Sequence, residues 1–99
     1  MIRSPIVAGT FYDASPQACE RMVRSLLAAA RLPEGTPDRC VGGLVPHAGW
    51  VCSGAVAALT FLALTRDATE STFVLLGASH APTGRSGLLF DQGTWETPL

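Results

Sequence analysis

Ninety-nine residues allow at most one domain, and a domain that small buries only a modest share of its chain surface. Hydrophobic residues make up 47% and charged residues 15%, against roughly a quarter charged in an average soluble domain. The net charge of −1, with both signs interspersed, excludes a basic nucleic-acid face and an acidic interaction tail.

A small domain has proportionally more surface and should be more polar than average. Either much of this surface is covered by something else, or the chain is a piece of a larger core. The three cysteines (Cys19, Cys40, Cys52) are odd in number and lack CxxC spacing, which argues against a disulfide framework and for a reducing cytoplasm. No apolar signal region follows Met1, and the longest near-apolar stretch, 55–64, is about half of what spans a bilayer. The chain therefore reads as soluble and cytoplasmic.

Residues 1–14 read as an irregular lead-in, punctuated by Pro5 and Gly9 and anchored by Phe11 and Tyr12. A helix follows, with Ser15 as N-cap and Pro16 at the first helical position, where its missing N–H costs nothing. Cys19, Met22, Val23, Leu26, Leu27 and Ala30 recur at helical spacing and define its apolar face, which makes Cys19 a small core residue rather than a reactive thiol. Pro33 and Gly35 end it. The apolar run 40–45 reads as a buried strand stopped by Pro46. After the turn-like His47-Ala48-Gly49-Trp50, Ser53 is the expected cap of a second helix over 55–64, apolar almost all round. The run 71–76 reads as a second buried strand, ending at Gly77-Ala78-Ser79-His80, and 86–90 as a third, shorter one. Strand, helix and strand in this order make a βαβ unit with parallel strands and a right-handed crossover. The expected fold class is thus α/β, a partly parallel sheet with helices. Two or three strands cannot cover both faces of such a sheet, a second indication that more of the core lies elsewhere.

The chain holds two histidines, His47 and His80, and each directly follows a predicted strand. Open α/β sheets bind ligands beyond the carboxyl ends of their strands. Neighbouring strands lie about 4.8 Å apart and next-but-one strands roughly 10 Å, so both imidazoles can converge on one ion. Neutral imidazole is a common ligand for zinc, copper and iron. Each histidine taken singly is more simply a loop residue with a satisfied hydrogen bond; two at one edge favour a shared site. A catalytic zinc takes three protein ligands and the non-haem iron triad takes two histidines and a carboxylate, so a third ligand is needed. Candidates within the chain are Cys52, Asp91 and Glu96. Cys52 sits near a helix N-terminus, which favours a thiolate, but a buried small residue is the preferred reading. Ser79 is a weak candidate for hydrogen-bonding a bound ligand. The glycines at 42, 43, 49 and 54 do not make a phosphate-binding fingerprint.

The segment Pro46-His47-Ala48-Gly49-Trp50-Val51-Cys52-Ser53-Gly54 resembles the PHAGY-x-YSG signature of MEMO proteins, labelled AmmeMemoRadiSam system protein B in bacteria and archaea. Gly77-Ala78-Ser79-His80 resembles the family's G-P-S-H motif. The lead-in Arg3 to Tyr12 is similar to the family opening, and Thr97-Pro98-Leu99 to the start of its T-P-L-G segment. The resemblance implies that residues 1–99 are the N-terminal portion of one α/β domain of nearly three hundred residues, similar in fold to class III extradiol dioxygenases, with the other two thirds absent. It implies a divalent transition metal (iron, copper or zinc) held by His47, His80 and a cysteine far down the chain. Trp50 and Cys52 stand where tyrosines are common, so Trp50 keeps an aromatic pocket wall and Cys52 does not. Three functions follow as alternatives. The first is a metal-dependent enzyme, oxidative or hydrolytic. The second is a non-catalytic protein that binds metal, a small molecule or a protein partner; human members are described as mediators of cell motility. The third is an inert truncated piece with an incomplete site. No nucleic-acid or membrane partner is expected, and uncovered surfaces favour self-association.

Overall fold

In a computed structural model of the chain, residues 1–67, 69, 72–81, 84 and 86–99 are described. Four elements occur in the order β1 (Ile2–Arg3), α1 (Pro16–Ala29), α2 (Trp50–Thr65) and β2 (Thr94–Trp95). Helix α1 forms where the spacing predicts it. The Ser15 hydroxyl accepts from the Ala18 N–H at 3.4 Å, and Asp13 Oδ1 accepts from the Ser15 N–H at 2.8 Å, which fixes the entry. At the other end the Ala30 N–H donates to Leu26 and Leu27 carbonyls, and Arg31 Nη1 donates to the Ala28 and Ala30 carbonyls at 2.7 Å each. These bonds satisfy terminal carbonyls that a left-handed glycine cap otherwise serves.

The two helices pack on each other through small residues. Cys19 on α1 is 1% exposed, as a core residue should be, and Ser53, Gly54 and Ala58 are the buried residues of α2. At Gly54 a Cβ would sit 2.7 Å from Leu26 Cδ1, so the absence of a side chain brings the helices together. Helix α2 starts at Trp50, earlier than expected, and Ser53 is not its cap. Gly49 holds the N-cap position without a side-chain bond, while the Ser53 hydroxyl donates back to the Ala48 carbonyl at 2.9 Å. The cap comes from the lead-in: the Phe11 carbonyl accepts from the Trp50 N–H at 2.8 Å. A local reading of sequence cannot supply so distant a partner. Gly49 itself has an ordinary φ of −53°, and a Cβ there would meet Phe11 only at ordinary van der Waals distance, so nothing in the backbone or its neighbours requires a glycine.

The sheet differs from expectation. Its one ladder among the described residues joins the ends of the chain, β1 parallel to β2, with Ile2 opposite Thr94 and Arg3 opposite Trp95. The Met1 carbonyl accepts from Thr94 N–H at 3.0 Å and the Arg3 carbonyl from Glu96 N–H at 2.9 Å. Gly93, at φ +110°, makes the bend that lets Met1 approach; a Cβ there would collide with the Met1 carbonyl. The predicted strands 40–45, 71–76 and 86–90 form no ladder among the described residues, and Ser71, the first residue of the second run, lies outside those residues. Segments 40–45 and 72–75 instead line a common cleft of about 410 Å³ backed by Phe61 and Leu64. They are also not buried: Val41, Leu44 and Leu76 are 97%, 94% and 94% exposed. A parallel strand needs neighbours and cover on both faces, and here both are lacking. The α/β character and a parallel pairing stand, while the βαβ unit across residues 40–76 does not form. No helix among the described residues is long and apolar enough to cross a membrane.

Segment 40–45 is held instead by α2. The Thr60 hydroxyl donates to the Leu44 carbonyl at 3.0 Å, and a Cβ on Gly43 would come within 2.5 Å of Thr60 Cγ2. Gly43→Val should therefore lift the segment from the helix and cost about 1–3 kcal/mol. The neighbouring Gly42 faces open space, so Gly42→Val should be near neutral. Urea unfolding of the two variants checks this, and equal midpoints would refute the packing argument.

Candidate metal centre

His47 lies in the turn between segment 40–45 and α2, and His80 at the end of the extended run from residue 72. The backbone around His47 is tied at several points: Leu44 by Thr60, Ala48 by Ser53, and Trp50 by Phe11. The Tyr12 ring stacks on Trp50, with centroids 5.1 Å apart and planes 30° apart. Around His80, the Ser79 hydroxyl donates to the Ala81 carbonyl at 3.2 Å, which shapes the turn and engages the hydroxyl offered as a ligand contact. Gly77 faces open space, so no close backbone approach explains the glycine there.

The two imidazoles meet. Their Nε2 atoms are 3.1 Å apart, their centroids 5.2 Å, and their planes differ by 16°. The nitrogens are closer than the ring centres, so the rings lie edge to edge and nearly coplanar, with nitrogens facing. Between two neutral rings one Nε2 donates and the other accepts. The same spacing suits a metal. Two nitrogens 3.1 Å apart, each about 2.05 Å from one ion, subtend about 98° at it, between the octahedral and tetrahedral angles. Both rings are exposed, which leaves room for further ligands.

Among the described residues the structure does not bring a third ligand to the pair. No cluster of three or more His, Cys, Asp or Glu side chains with metal-binding geometry occurs among the described residues. Cys52 is exposed, not buried as preferred from the sequence: residues 53, 54 and 58 turn toward α1, and one residue back along a helix points about 100° away. Glu96 is at the chain-end ladder, where its Oε2 accepts from the Ser4 hydroxyl at 3.2 Å. Trp50 stacks on Tyr12, a residue the sequence marks only as a loop anchor, and it lines neither described cavity. No local signal links two residues so far apart. The cleft between segments 40–45 and 72–75 is lined by neither histidine.

The site is thus a pair of converging imidazoles in the loops of a small α/β protein, one of them fixed at the start of a helix. The chain belongs to the Memo-like protein family, whose model matches residues 3–99. It is similar to a MEMO1 family protein of Methanopyrus kandleri, 40% identical over 105 residues that cover 100% of this chain and 37% of that protein. A MEMO1 family protein of Methanothermobacter thermautotrophicus is 39% identical over 104 residues, covering 100% of this chain and 38% of its own length. One from Pyrococcus furiosus is 36% identical over 99 residues, covering 100% and 33%. The chain therefore spans about a third of the length of the curated relatives it matches, from 33% to 38%. No solved structure matches it.

Proposed function

We propose that His47 and His80 are two ligands of a divalent transition-metal centre, with iron, copper or zinc as the ion. The observation that carries this reading is the 3.1 Å separation of the two Nε2 atoms, which fits adjacent positions on one ion. In the same reading the remaining ligands come from outside residues 1–99, and the whole protein is an extradiol dioxygenase-like metal-dependent oxidoreductase. When bound, the metal would supply Lewis acidity or oxygen activation. The chain's own contribution is to hold two nitrogens at a fixed spacing and to place the Trp50 ring close by in sequence as an aromatic wall. A cytoplasmic setting fits three thiols with no disulfide among them. Calorimetric titration with Fe²⁺, Cu²⁺ and Zn²⁺ tests the centre: the expected result is saturable binding of one ion. No binding by a chain shown to be folded, and none by the whole protein, would sink it.

A second reading is a protein that binds metal or a partner without turnover. It is favoured by the engagement of the Ser79 hydroxyl with the Ala81 carbonyl, which turns that hydroxyl away from a role as a proton carrier. Stoichiometric binding without conversion of any substrate would select it.

A further inference from the structure

We propose that Tyr12 is a positioning residue for His47: its ring, stacked on Trp50, fixes where α2 begins and so how His47 leaves the turn. The ligand in this inference rests on the metal-centre reading above; the geometry does not.

The lead-in is a closed knob rather than a loose arm. The Val7 carbonyl accepts from the Thr10 N–H at 3.1 Å, the Phe11 N–H at 2.9 Å and the Thr10 hydroxyl at 2.8 Å. The Gly9 N–H donates to the Tyr12 carbonyl at 2.7 Å, and Gly9 itself has φ +84°. This knob delivers two grips to one residue. The Phe11 carbonyl takes the Trp50 N–H, and the Tyr12 ring takes the Trp50 ring at 5.1 Å. Gly49 has no side chain to cap the helix, so the first turn of α2 depends on the knob for its end condition. The Ala48 and Gly49 carbonyls bond forward into that first turn, through Ser53 Oγ at 2.9 Å and the Ser53 N–H at 3.0 Å. His47 is the next residue back. A shift of Trp50 is therefore passed through two fixed peptide groups to the imidazole that meets His80.

Partners that orient a metal ligand without touching the metal change affinity by about 10- to 100-fold when removed. Tyr12 acts at one further remove, so the lower end is expected. The test uses the full chain with Co²⁺ as probe, and long-range ¹H–¹⁵N spectra of the two imidazoles without metal. Tyr12→Ala should weaken Co²⁺ binding about 10-fold, change the d–d band shape, and replace the donor–acceptor pattern of the metal-free histidines by two independently averaging rings. Tyr12→Phe keeps the stack and should leave all three readouts unchanged. Ala58→Gly, at a buried position two turns into α2, supplies a destabilised control that should keep the wild-type spectra. Equal losses in Tyr12→Ala and Ala58→Gly, or in Tyr12→Ala and Tyr12→Phe, would overturn the proposal. So would imidazole spectra indifferent to Tyr12→Ala. Imidazole spectra that respond to Tyr12→Ala in a chain that fails to bind Co²⁺ would support the positioning role and reject a centre made by residues 1–99 alone.

Discussion

His47→Ala and His80→Ala are each expected to remove metal binding almost completely. With two nitrogens on one ion, loss of either leaves a single imidazole and no chelate. Orienting groups beyond the ligands are already worth up to about 100-fold in affinity, so losing a ligand itself should exceed 100-fold, or about 2.7 kcal/mol. Because the two Nε2 atoms face each other, the effects should not add: the double variant should bind no more weakly than either single one. Calorimetry with Zn²⁺ on the three variants checks this. Two partial, additive losses would mean that the histidines act at separate sites, and the shared-ion reading would fail. Cys52→Ala belongs in the same series. Its thiol is exposed and stands apart from any three-ligand cluster among the described residues, so its replacement should leave affinity unchanged.

What the sequence made legible is what depends on neighbours in the chain. Ser15, Pro16 and the spacing from Cys19 to Ala30 specify α1 locally, and the helix forms there. The two histidines were legible as a pair because each follows an apolar run, and they do meet, although those runs form no ladder. Their approach depends on where two loops are held rather than on strand register. The misreadings share one physical cause. Residues 40–45 and 71–76 have strand composition, but pairing needs a partner at hydrogen-bonding distance, and composition carries no information on distance. The start of α2 was misplaced because Ser53 is a strong local cap signal, whereas the actual end condition is the carbonyl of Phe11, contributed from another part of the chain. The β1–β2 pairing of the two chain ends was missed for the same reason: two residues on each side give no periodicity to read.

The largest remaining effect concerns what the apolar surface does in solution. Buried hydrophobic residues among the described ones are Cys19, Ala30 and Ala58, all small, whereas Val41, Leu44, Val74, Leu75 and Leu76 are at least 82% exposed. Extended segments with apolar side chains and unpaired backbone are templates for pairing with another chain. The chain on its own is therefore expected to associate, with a sedimentation coefficient that rises with concentration. Each valine or leucine that becomes buried contributes about 1.5–3 kcal/mol. Val41→Lys together with Leu76→Lys removes two of them and should weaken association about 100-fold or more, at roughly 1.4 kcal/mol per tenfold. Both residues are more than nine-tenths exposed within the chain, so the folded monomer should lose little, within about 0.5 kcal/mol. The pair of measurements separates two causes that a single one confounds. Weaker association at unchanged unfolding midpoint would locate the contact on these segments. Unchanged association would place it on another exposed apolar face, such as the side of α2 that carries Val51 and Val56.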